Sequence, residues 1–222
     1  MRRILIAGFV ALPVLALLVF LGTWQLGRLH WKTALLADLA AAEAAPAAPL
    51  RDPPLPFTKV AVTGRFDHAR EALLGLEVRS AVLGARLVTP LLRDGAAPVL
   101  VDRGWVPAES RGPIARPEGV VTVEGYVRPG DRAGLFAARD DPASRRFFTL
   151  DPAAIGAALG LPAVAPYAVV ALGGPAGTPP DPARSLPRPP NNHLGYVITW
   201  YGLALALVAV FLAWALRTGR RG

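Results

Sequence analysis

The chain has 222 residues, of which 53% are hydrophobic, with no cysteine, one methionine and a net charge of +8. That length allows one domain with appendages, and the missing thiols exclude disulfides, thiol nucleophiles and, with the methionine only an initiator, the soft ligand set of a copper carrier. The basic excess excludes nucleic-acid binding once it is located: residues 33–193 hold 17 basic side chains against all 16 acidic ones, and the other seven (Arg2, Arg3, Arg28, Lys32, Arg217, Arg220, Arg221) flank two apolar stretches.

The first apolar stretch, 4–27, carries no charge and exceeds the ~20 residues a helix needs to cross a ~30 Å hydrocarbon core. Met-Arg-Arg before an apolar run also fits a cleavable signal peptide, but no small-x-small site follows it closely. Instead Trp24 and Trp31 stand where aromatic residues anchor at headgroup level, with Arg28 and Lys32 placed to snorkel. An uncleaved transmembrane helix is therefore the expectation, with Pro13 tolerated inside it.

Residues 28–56 read as a helical extension to about Ala45, followed by a linker in which Pro46, Pro49, Pro53, Pro54 and Pro56 forbid helix. From 57 to 174 the pattern shifts to alternation. Val60, Val62, Gly64 and Phe66 share one parity; Leu74, Leu76 and Val78 alternate with Glu77 and Arg79; 83–92 and 99–106 are β-branched apolar runs; Val121 and Val123 alternate with Thr122 and Glu124; 167–172 is a last apolar run. Period-two patterning broken by Gly and Pro predicts about six antiparallel strands in a compact sheet or partly closed barrel. Asp151 before Pro152 predicts the N-cap and first position of one short helix.

Residues 175–193 form a second Pro-rich linker, and 194–216 a second uncharged, membrane-length stretch. Tyr196, Trp200 and Tyr201 stand at its start, and Trp214 precedes Arg217 at its end. The sequence thus predicts a membrane α+β protein: two transmembrane helices, N- and C-terminal, flanking an antiparallel β-rich extracytoplasmic domain. Basic residues stay on the cytoplasmic side, so both termini are expected inside and the central domain outside, in a bacterial inner membrane. Arg28 and Lys32 oppose that rule, which a long translocated domain tolerates.

Three stretches carry a resemblance when taken in order. They are Leu21-Gly22-Thr23-Trp24-Gln25-Leu26-Gly27-Arg28 with Trp31-Lys32; Val101-Asp102-Arg103-Gly104-Trp105-Val106-Pro107; and residues 191–202, Asn-Asn-His-Leu-Gly-Tyr-Val-Ile-Thr-Trp-Tyr-Gly. Together they resemble the surfeit locus protein 1 family over the whole chain, with Asp102 where relatives often carry Asn and Val197 where they often carry Ala. The resemblance implies biogenesis of haem–copper cytochrome c oxidase, with haem a bound or presented for insertion into the catalytic subunit. It implies that subunit, haem a synthase and the lipid bilayer as partners, and no enzymatic activity. A purely structural scaffold for oxidase subunits, without cofactor, is the alternative.

Among the three histidines, His193 is the candidate haem-iron ligand. With Asn192 as N-cap, His193, Tyr196 and Trp200 fall at i, i+3 and i+7 on one helix face. The positive end of the helix dipole disfavours protonation, leaving the neutral imidazole that ligates iron. Tyr196 and Trp200 are candidate porphyrin contacts, and Arg28 with Lys32 candidate propionate partners. The bland reading stays open beside this one, with aromatic anchors and a polar cap at a membrane interface. His30 reads as an interface residue and His68 as a turn residue. Arg103 and Trp105 suit either a packed strand end or a binding hot spot.

Catalytic machinery is sparse. There is no Gly-x-Ser-x-Gly elbow, zinc helix or phosphate loop, the domain's serines are only Ser80, Ser110, Ser144 and Ser185, and Asp140 and Asp141 are neighbours that a strand would point to opposite faces. A membrane-tethered hydrolase is disfavoured on these grounds.

Overall fold

In a computed structural model of the protein, residues 2–108, 113–134, 137–174 and 178–220 are described; Ser110, Arg221 and linker positions 175–177 lie outside them. The chain divides into two compact units, Met1–Leu39 with Arg188–Gly222, and Ala40–Pro187.

The first unit is helical. Helix α1 runs Arg2–Ala44 with Pro13 inside it, and the C-terminal helix, α3 in chain order, runs His193–Gly219. Both are long and apolar enough to cross a membrane. Their large side chains face outward, Phe9 at 82% and Leu205 at 71% exposure. Asn192 precedes α3 as expected, but its side chain makes no capping bond.

The second unit is a β-barrel with an outer layer. Its strands are β1 (Ala48–Pro49), β2 (Lys59–Phe66), β3 (Ala72–Arg79), β4 (Val82–Arg93), β5 (Ala96–Pro107), β6 (Val120–Pro129), β7 (Arg146–Phe147) and β8 (Tyr167–Ala171), with the short helix α2 (Pro152–Ala158) before the last. The sheet order is β1-β2-β6-β8-β5-β4-β3-β7, and a further β2–β4 pairing closes five strands into a barrel. Closure is complete rather than partial, through Arg65↔Leu92 and Phe66↔Leu91. Nor is the sheet purely antiparallel: β1–β2, β3–β7 and β5–β8 run parallel. The long connection through α2 lets β8 enter beside β5 in the same direction.

Two cores follow from the pleat. Inside the barrel lie Val60, Val62, Leu91, Val99, Val101, Val127 and Val169. On the outer face α2 buries Ile155 and Leu159 against Leu74, Val88, Leu100, Phe147 and Ala168. Asp151 caps α2 as its sequence predicts, accepting from the Ala153 and Ala154 amides. Only the first half of β3 reaches this core: past an irregularity between Leu74 and Glu77, Leu76 and Val78 are exposed.

Candidate ligand site on the helix pair

His193 opens α3, and its Nδ1 lies 2.7 Å from the Oε1 of Gln25 on α1. An amide oxygen only accepts, so the imidazole donates from Nδ1–H, and in the neutral ring that tautomer leaves the lone pair on Nε2. Gln25 is 9% exposed. Further ties join the same helices: Thr23 Oγ1 pairs with Tyr201 OH at 2.9 Å, and Asn191 Nδ2 donates to Thr33 Oγ1 at 3.4 Å. Gly22 lets the helices meet here, because a Cβ at that position would sit 3.1 Å from the Tyr201 ring.

The other predicted site residues divide. Trp200 is half-buried, and its indole Nε1 is buried without a hydrogen-bond partner. Tyr196 is 54% exposed, so the two aromatics do not share one environment despite their spacing. Arg28 lies with its guanidinium 4.2 Å from the Trp31 ring centroid, and Lys32 Nζ stacks on the same ring at 5.8 Å. Both cations stand over the same indole. His30 is exposed.

Among the described residues no three His, Cys, Asp or Glu side chains gather to hold a metal ion. Of the two histidines on these helices, His30 is exposed and His193 is held through Nδ1, with Nε2 outside that bond. The buried, unpartnered Trp200 N–H is a second polar group in this unit with unused hydrogen-bonding capacity.

In the barrel unit the Asp102–Trp105 segment is absorbed by packing. Asp102 is buried against Arg86 and accepts from the Gly104 amide; burial pushes its carboxyl above the usual range, against the pull of that guanidinium. Arg103 is buried beneath the Phe66 ring at 4.9 Å, bonded to Glu71 Oε1 at 3.2 Å and to the Ala115 carbonyl. Burial lowers its pKa. Trp105 Nε1 donates to the Glu77 carbonyl at 3.1 Å. His68 sits in a 3-10 turn as expected, its Nδ1 facing Glu71 Oε1 and its Nε2 the Pro117 carbonyl, so both ring nitrogens are engaged. Asp140 and Asp141 accept from different backbone amides, those of Phe148 and Ser144. A cleft of about 660 Å³ opens along the β2–β4 seam between Asp52, Thr63, Arg65 and Arg93, and no histidine lines it.

Gln25 was not among the residues the sequence put forward, although one signal marked it: an amide inside an uncharged, membrane-length stretch, where polar groups are costly.

Comparison with known proteins places these features in a lineage. The family described as the SURF1 family matches residues 12–205, a stretch containing both Gln25 and His193. The Surfeit locus protein 1 of Homo sapiens is 32% identical over 214 residues, covering 84% of this chain and 70% of that protein. The SURF1-like protein of Monosiga brevicollis is 30% identical over 221 residues, covering 90% and 84%. The protein of Saccharomyces cerevisiae named Cytochrome oxidase assembly protein SHY1 is 32% identical over 161 residues, covering 65% of this chain and 41% of its own length.

Proposed function

The chain belongs to the SURF1 family, and from that premise we propose that it serves cytochrome oxidase assembly by holding haem a on its helix pair for delivery to the catalytic subunit. The yeast relative's name supplies the assembly role. The observation that carries the haem step is the Gln25–His193 contact, which engages Nδ1 and leaves Nε2 of His193, at the start of α3, outside that bond. Haem would supply the iron and its ring; the chain's part would be to hold it through the imidazole of His193, a half-buried indole at Trp200 and cations at Arg28 and Lys32. The N–H groups of Arg28 and Lys32 that the Trp31 ring does not engage would be the donors to propionates.

In this reading α1 and α3 span the inner membrane of a bacterium. Both termini lie in the cytoplasm and Ala40–Pro187 lies outside it, with the lipid bilayer and haem a synthase among the partners. Binding and presentation require no bond-making by the protein, so the reading assigns it no catalysis.

One observation favours a second reading. The Gln25–His193, Thr23–Tyr201 and Asn191–Thr33 contacts tie the two helices to each other through side chains, which is what a scaffold for oxidase subunits needs. The two readings separate on one experiment. Purified full-length protein titrated with haem a should show saturable binding with a shifted Soret band, and His193→Ala should lose it. Equal binding by His193→Ala would remove the ligand assignment; no binding by either, with oxidase assembly still dependent on the protein, would leave the scaffold.

A further inference from the structure

Gln25 is buried at 9% exposure on the stretch of α1 that carries no charge. Burying an amide there is unfavourable unless its hydrogen-bonding groups are used. The structure uses its oxygen on a single partner, His193 Nδ1 at 2.7 Å. We propose that Gln25 is a positioning residue for His193, fixing the imidazole in the Nδ1–H tautomer and in a ring orientation that presents Nε2; this rests on the reading of His193 as an axial ligand.

The warrant lies in donor and acceptor chemistry. A neutral imidazole carries one N–H, and either nitrogen can hold it. Only the Nδ1–H form leaves Nε2 able to bind a metal, and only a partner that accepts without donating selects that form. Gln25 meets that requirement in the orientation it takes here, with Oε1 and not its NH2 group toward Nδ1. The same bond restricts rotation of the ring, because the amide is held on a helix and cannot follow it. A ligating histidine ordinarily has such a partner on its second nitrogen, whose removal costs roughly 10–100-fold in metal affinity.

A mere helix tie is the competing explanation. Thr23 and Tyr201 already join these helices through a 2.9 Å bond, and Gly22 packs on the Tyr201 ring. Gln25 is therefore not alone in holding the pair together, and its loss should leave the helices packed.

The test starts without haem. The protein has three histidines, His30, His68 and His193, so imidazole ¹⁵N spectra of histidine-labelled full-length protein in detergent can be assigned by substitution. The parent should show His193 as the Nδ1–H tautomer. Gln25→Leu should shift it towards Nε2–H, Gln25→Glu should restore it, and Thr23→Val, which removes only the neighbouring tie, should leave it unchanged. Haem a titrated into the same proteins should bind about 10–100-fold more weakly to Gln25→Leu than to the parent, with affinity recovered in Gln25→Glu. An unchanged tautomer in Gln25→Leu overturns the proposal whatever haem does. A shifted tautomer with parental haem affinity, where His193→Ala loses binding, overturns it while the ligand assignment stands. If His193→Ala binds haem a as the parent does, the functional reading fails, and positioning for ligation fails with it.

Discussion

Glu71 is the acceptor for three side chains that reach it from different parts of the barrel unit. Arg103 Nη1 and His68 Nδ1 converge on Oε1 at 3.2 and 3.1 Å, and Arg116 Nη2 bonds Oε2 at 2.8 Å. Arg103 has a side-chain exposure of 7%, so deleting the carboxylate strands a buried cation, whereas Arg116 is half-exposed and loses little to water. Breaking a buried pair from one side costs about 3 kcal/mol or more. Glu71→Ala should lower the unfolding free energy of the full chain by about that much, and Glu71→Gln, which keeps an acceptor, by about half as much. Denaturant midpoints would check this, and an Ala variant within about 0.5 kcal/mol of the parent would show that the cluster is dispensable. The sequence displayed Arg103 plainly, beside Gly104 and Trp105, but not its partner. Glu71 lies 32 residues away, and the pairing of β3 with β4 (Ala72↔Val88) and of β4 with β5 (Val88↔Asp102) brings the two together. Gln25 and His193, 168 residues apart, were illegible as a pair for the same reason: local pattern reports which face a residue occupies, not what comes to meet it.

Elements were easier to read than contacts, because periodicity is local. The alternation beginning at Lys59 is β2, the apolar runs 83–92 and 99–106 lie within β4 and β5, and Asp151-Pro152 opens α2. β1 and β7 left no such trace. Each is two residues long and pairs in parallel, so nothing in Ala48-Pro49 or Arg146-Phe147 announces a strand. The segment after β8 also hides its role. It reads as a Pro-rich linker, yet Asp181 exchanges two backbone hydrogen bonds with Trp105, of 2.9 and 2.8 Å, and Leu186 is buried. Gly104 makes this strap possible. Its φ is +130°, and a Cβ there would lie 2.3 Å from the Asp181 carbonyl. Gly104→Ala must therefore move the strap and strain the strand, together costing roughly 3 kcal/mol. Trypsin should then cut after Arg184 well before it cuts the barrel strands. A variant with parental stability and an unchanged cleavage pattern would mean that the strap is not held at this point.

At the scale of the whole molecule the informative quantity is the placement of charge rather than its sum. A chain whose middle balances 17 basic residues against 16 acidic ones gives its central portion little reason to seek an anion. Arg2 and Arg3 before α1, with Arg217, Arg220 and Arg221 at the other end of the chain, favour an orientation with both ends on one side of a bilayer. Arg28 and Lys32 pull the other way, and their stacking on Trp31 suits them to rest at an interface in the proposed topology. The absence of cysteine makes this orientation directly testable, since any introduced thiol is unique. Ala143 is exposed in the barrel unit, and Gly219 ends α3 with open space where a Cβ would stand. In intact spheroplasts a membrane-impermeant maleimide should label Ala143→Cys and spare Gly219→Cys, which should react only after lysis. The reverse pattern would place the barrel in the cytoplasm, and labelling of both would mean that α3 does not span. Either result would also remove haem delivery at the outer face, because His193 would then open on the wrong side of the membrane or on none.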